Sequence, residues 1–273
     1  MNRAATPPGL SPQRSPGRLV LAVGGGDALT DLLQSGAMRA RMPQAPTAPG
    51  LEAVIINTAG GMTGGDHFEI EVTLAPGARV TAVGQACEKV YRAAADRALV
   101  EVQLTVAEDA TLHWLPQPAI LFDGSAFERR IEIDLAGSAT LFAVEATILG
   151  RAAMGETLER CLLREHWRVR RDGVLAWAGA GRLDLPGDAV SLPSTLADGT
   201  AFATFVVAGG DLEVALDALR DAAGKVRGTM GASRIEEIVV ATLVAATARH
   251  LMEDIADIVR AVTAREVPRV WNC

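Results

Sequence analysis

The chain has 273 residues, of which 49% are apolar and 22% charged. That is enough apolar material for a sizeable core, and it excludes global disorder. The net charge of -7 argues against a nucleic-acid binder, whose binding face is usually basic.

In chain order, residues 1–18 come first, with four prolines, three arginines and no apolar stretch. They read as a disordered leader rather than a secretory signal, and residues 19–273 read as a single domain. An apolar run, Ala53 to Ile56, enters Asn57-Thr58-Ala59-Gly60-Gly61-Met62-Thr63-Gly64-Gly65-Asp66. Two glycine pairs so close together point to unusual backbone angles or close backbone approach. Strict alternation then predicts half-buried strands at His67–Leu74, Val100–Val106 and Ile131–Leu135. Pro76-Gly77, Glu108-Asp109 and Ala136-Gly137-Ser138 supply turns between strands. Asp172-Gly173, between Trp167–Arg171 and Val174–Trp177, predicts a hairpin. Helix comes late, at Asp211–Ala223 with Asp211 as cap and Gly224 as stop, and again at Ala248–Ala264; Ile238–Ala245 between them reads as a buried strand. The expected class is mainly β: stacked antiparallel or mixed sheets in a β-rich single domain, with two helices in the C-terminal part. No repeat of fixed length is visible, so the sequence does not support a solenoid.

Cys87, Cys161 and Cys273 are odd in number and far apart. They support neither a disulfide framework nor a structural zinc site, which fits a reducing compartment. No apolar run reaches the ~18 residues of a membrane span. The expected location is the cytoplasm.

Gly60 to Gly65 resembles a phosphate loop, but no Gly-Lys-Ser/Thr follows and a strand comes next. There is no nucleophile elbow and no paired-histidine zinc motif. His67, His113, His166 and His250 are scattered. What remains is a set of carboxylates. Glu145 sits inside the apolar run Leu141–Leu149, where it must be paired, hold a cation or face a wet cavity. Arg151 and Lys89 are the partners considered for a simple salt bridge. Asp66 closes the glycine-rich segment, either as a turn residue bonded to amides or as a ligand. Glu88 and Lys89 adjoin in sequence, so on a strand they point to opposite faces. Tyr91 is the single tyrosine, with the backbone as one partner for its phenol. Glu156 follows Met154-Gly155.

Six segments in order resemble the UreD family of urease accessory proteins, also called UreH. They are Asn57–Asp66 (NTAGGMTGGD), Glu88–Arg92 (EKVYR), Trp114–Gly124 (WLPQPAILFDG), Glu145–Glu156 (EATILGRAAMGE), Trp167–Leu175 (WRVRRDGVL) and Pro268–Trp271 (PRVW). The resemblance implies a β-rich stack of sheets with two helices. It implies a scaffold and nickel conduit in urease maturation, not an enzyme. The implied partners are apo-urease, UreF and, through UreF, the GTPase UreG, with no nucleic acid and no membrane. No cofactor is expected to be tightly bound; nickel passes in transit. Asp66, Glu88, Glu145 and Glu156 are then candidates for a transient nickel path. Single carboxylates admit and release an ion, whereas clustered cysteine and histidine would trap it.

The chain departs from the family at Thr242, near a position that is often arginine. It departs again at Arg164-Glu165-His166, where aspartate is commoner near the tryptophan, and residues 1–49 match weakly. The alternatives are a β-rich hydrolase or isomerase using paired carboxylates such as Asp66 and Glu145, and a pure protein-binding scaffold without metal transit.

Overall fold

The computed structural model describes residues 14–272, apart from 45, 48, 157 and 187–194. Its first strands are β1 (Gly17–Val23), β2 (Leu29–Gly36), β3 (Met38–Arg41), β4 (Leu51–Asn57), β5 (His67–Leu74) and β6 (Arg79–Gly84). The middle of the chain forms β7 (Glu88–Val90), β8 (Ala98–Val106), β9 (Thr111–Leu115), β10 (Ala119–Leu121), β11 (Ser125–Leu135) and β12 (Thr140–Leu149). Then come β13 (Cys161–Arg171), β14 (Val174–Leu185), β15 (Ala201–Ala208), α1 (Leu212–Ala223), β16 (Thr229–Ile235), β17 (Ile238–Ala245) and α2 (Ala248–Thr263). Most of the proposed leader, and Cys273, lie outside the described residues. Gly17 and Arg18, assigned to that leader, instead open β1, where they pair with Phe68 and Glu69.

Alternation builds the first sheet, ordered β14-β13-β11-β8-β5-β1-β2. Leu19 and Leu21 of β1, Phe68 and Val72 of β5, Leu104 of β8 and Ile133 of β11 all face inward and are buried. Each such side chain contributes about 1.5–3 kcal/mol. The opposite parity carries Glu69, Glu71, Glu101, Arg130, Glu132 and Arg168, which pair with one another or with Arg18, His67 and Arg170 on the solvated face.

The second sheet runs β16-β17-β15-β12-β9-β6-β4-β3, with β10 bridging β12 and β7. It is covered on both sides. Ala53, Ile55, Ala82, Trp114, Leu141 and Ala143 pack toward the first sheet. Val54, Val83, Leu115, Phe142 and Val144 lie in the core under the two helices. Burial on both faces explains why the run in β12 does not alternate.

From β5 to β13 the chain alternates between the sheets. β5, β8, β11 and β13 lie parallel in the first, while β6, β9 and β12 lie parallel in the second. This is a coil of unequal turns, which is why no fixed period shows in the sequence.

Both expected helices form, the first on its expected cap. The Asp211 carboxylate accepts from the Glu213 and Val214 amides, both at 3.1 Å, and Thr247 caps α2 at His250. α2 stops one residue before the expected Ala264, which takes a left-handed conformation as its C-cap. The β13–β14 hairpin turns at Asp172 and Gly173, with φ of 50° and 78°, as its twist requires. No helix among the described residues is long and apolar enough to cross a membrane.

Candidate functional site

The glycine-rich segment leaves β4 and folds against β7. Gly61 has φ 144°, and a Cβ there would stand 2.4 Å from the Tyr91 ring and 2.7 Å from the Lys89 carbonyl. A Cβ on Gly64 would stand 2.3 Å from the Ala95 carbonyl. The glycines therefore serve close backbone approach. Met62 N–H donates to the Lys89 carbonyl at 2.7 Å, and Tyr91 N–H to the Met62 carbonyl at 2.8 Å. The Tyr91 hydroxyl donates to the Gly60 carbonyl at 3.0 Å, so its phenol serves the backbone.

This packing places Asn57 beside Glu88. The Asn57 amide donates to Glu88 Oε1 at 2.8 Å and to the Gly61 carbonyl at 3.2 Å. Both residues line a cavity of about 310 Å³ between the two sheets. Gly60, Gln85, Ala86 and Lys89 are exposed at its rim. Its walls are apolar, including Phe68, Ile70, Val100 and Val102 from the first sheet and Ala82 from the second. Arg129, Glu145 and Trp114 also line it. Burial pushes the Glu88 carboxyl up to about 7, against the Asn57 hydrogen bond.

Glu145 is 3% exposed. Its partner is Arg129, not Arg151 or Lys89: Arg129 Nη1 lies 2.6 Å from Glu145 Oε2. Arg129 Nη2 lies 2.6 Å from Glu165 Oε2 on the neighbouring strand. The other oxygen of each carboxylate accepts from an indole N–H, Trp114 to Glu145 at 2.7 Å and Trp167 to Glu165 at 2.8 Å. Burial pushes the Glu145 carboxyl up to about 7, against the pull of Arg129 and the indole. Burial also works against the Arg129 charge, but Glu145 and Glu165 outweigh it and hold the guanidinium above its ordinary value. Isolated buried charges would cost several kcal/mol, so the three groups depend on one another.

Glu165 and Trp167 line a second inter-sheet cavity of about 320 Å³, with Leu163, Phe202, Thr204 and Val240. Its rim is exposed at Ala180, Gly181 and Arg182. Thr242, where the chain departs from the family pattern, also lines it. The Arg129–Glu165 contact therefore stands between the two cavities.

The other two candidates lie elsewhere. Asp66 is 4% exposed, and its oxygens accept from the Ser15 amide at 2.7 Å and the Thr63 amide at 2.8 Å. It ties the turn to the chain start. Glu156 is held by Arg151, Nε to Oε2 at 3.0 Å, which lowers its pKa. Neither lines either cavity. Among the described residues, no group of three or more His, Cys, Asp or Glu side chains is arranged to hold a metal ion.

Arg129 and Glu165 were not among the sequence candidates, yet strand parity marks them. Arg129 shares the inward parity of Phe127, Ile131 and Ile133, and Glu165 that of Leu163, Trp167 and Val169.

The profile of the family described as UreD urease accessory protein matches residues 15–272. This chain belongs to the UreD family. It is 41% identical over 263 residues to "Urease accessory protein UreD" of Xanthobacter autotrophicus, covering 95% of this chain and 90% of that protein. It is 42% identical over 270 residues to the UreD of Rhizobium johnstonii, covering 97% of each. The UreD of Azorhizobium caulinodans is 36% identical over 263 residues, covering 95% of this chain and 97% of that protein. The six segments that resemble UreD all fall inside the matched span, and the expected β-rich fold with two late helices is the one described above.

Proposed function

We propose that this UreD family member serves urease maturation as a scaffold and nickel conduit rather than as a catalyst. It would bind apo-urease and UreF, and through UreF the GTPase UreG. The observation that carries the conduit reading is the pair of inter-sheet cavities that meet at Glu145, Arg129 and Glu165. Single carboxylates along a mostly apolar passage suit an ion that must enter and leave. Nickel is cargo here, and Glu88 at the rim and Glu145 at the inner end are the residues we place on its route. Asp66 and Glu156 are committed to amides and to Arg151, and we place them off it.

The test is co-expression with urease and the other accessory proteins. Glu88→Gln and Glu145→Gln should leave the chain folded and captured by urease, while urease nickel content and activity fall severalfold. Full activity in both variants would remove these residues from the route. A turnover assay of the purified chain with urea and with GTP should be blank.

A further inference from the structure

We propose that Arg129 is a resident counter-cation: it closes the passage between the two cavities and yields when an incoming divalent cation takes its place between Glu145 and Glu165. The proposal rests on the conduit reading and adds a gate to it.

Each carboxylate is half anchored and half exchangeable. One oxygen of Glu145 is fixed by the Trp114 indole, and one of Glu165 by the Trp167 indole. The remaining oxygens both point to the same guanidinium, at 2.6 Å on either side. Two negative groups thus share one positive charge in a buried place, which leaves the cluster one charge short of neutrality when all three are ionised. A divalent cation between the same two oxygens would neutralise both and leave the displaced Arg129 as the single uncompensated charge, at the wall of the first cavity. The pair also resembles the sparse oxygen donation from which hard and borderline cations are readily released.

Arg129 is the group placed to move. Its Nε is buried and has no hydrogen-bond partner, so part of its donor capacity is unmet. Its Cζ already lies 5.8 Å from the centre of the Phe127 ring, and Phe127 lines the first cavity. The guanidinium can lean onto that face with its charge partly compensated. Free volume lies on both sides, because Arg129 borders one cavity and its partner Glu165 the other. A merely structural ion pair in a close-packed core would have neither the orphan donor nor the space.

The experiment uses the purified full chain with Co²⁺ as the probe, because its absorption reports its ligands. Arg129→Met should hold one equivalent at least about tenfold more tightly than wild type, since a competing unit charge at contact distance is removed. Adding Glu165→Gln should abolish the gain. In co-expression, Arg129→Met should still be captured by urease but leave it poor in nickel, because the ion is retained. A folded Arg129→Met chain that binds Co²⁺ no better than wild type overturns the gate. Should that variant not fold, Arg129→Lys carries the same test. Its ammonium keeps the charge but cannot fork between two carboxylates, so tighter Co²⁺ binding than wild type supports the gate and equal binding overturns it. The two readings fail separately. Loss of urease nickel in Glu145→Gln and Glu165→Gln, with no Co²⁺ gain in Arg129→Met, removes the gate alone. Full urease activity in both glutamine variants takes this cluster off the nickel route, and the gate with it.

Discussion

Trp114→Phe isolates one donor in the buried cluster. The ring keeps its place in the core, but Glu145 loses the indole hydrogen bond. We expect a loss of about 1–3 kcal/mol in urea unfolding, the usual cost of orphaning a buried polar group. His113 offers a pH test. It is 9% exposed, and burial, helped by Arg265, lowers its pKa to about 4 from 6.5. The unfolded chain therefore binds a proton between pH 6.5 and 4 that the folded chain refuses. Stability from this group is present above 6.5 and is lost as pH falls toward 4. His113→Phe should flatten that part of the stability–pH curve, and an unchanged slope would count against it. At this scale the sequence was partly legible. Glu145 stood out as a carboxylate in an apolar run. Arg129 did not, because Glu128-Arg129-Arg130 reads as an ordinary charged stretch until the strand's parity is counted through it. Its pairing with Glu165 depends on a neighbour 36 residues away, which no local pattern contains.

Single substitutions in the glycine-rich turn and in α2 test how each is held in place. Gly60 has φ 77° with open space where a Cβ would go, whereas Gly61 has Tyr91 and the Lys89 carbonyl in the way. Gly60→Ala should cost about 1–2 kcal/mol from its left-handed backbone alone. Gly61→Ala should cost more and lift β7 away, which thermal melts of the two variants would compare. In α2, Asp254 is fully buried and accepts from the Arg227 and Gly228 amides, at 3.0 and 3.1 Å, and from the Arg227 side chain. It fastens the helix to the chain entering β16. Asp254→Ala should cost roughly 1–3 kcal/mol by stranding the two amides, since Arg227 keeps Glu253 and Asp257 as partners; no measurable loss would show that water replaces it. The helices and the β13–β14 hairpin were readable because caps, stops and turns are written in neighbouring residues. β16 was not, since its alternation is short and carried only by Met230 and Ala232 around a glycine, and its hairpin turns at Glu236 without a glycine.

At the scale of the whole molecule, the two sheets and the alternation of the chain between them create the space that the site uses. If the first cavity is the route, narrowing it should block passage without harming the fold. Val102 is 3% exposed and lines that space. Val102→Phe should keep or raise the melting temperature by filling the void, yet lower urease activation severalfold in co-expression. Full activation with a filled cavity would place the route elsewhere. Class and helix count were visible from alternation, but the stacking order was not. A parallel strand meets its neighbour only after the chain has visited the other sheet, so the pairing is carried by contacts far apart in sequence.

The two indoles beside Arg129 give the molecule a built-in optical reporter. Trp114 and Trp167 are two of only four tryptophans, and each donates its N–H to a carboxylate of the buried cluster. Their emission should sit toward the blue and answer to whatever charge lies between those carboxylates. A paramagnetic cation arriving there would darken them. If an ion does pass through the interior, stopped-flow fluorescence on the unlabelled protein could time it.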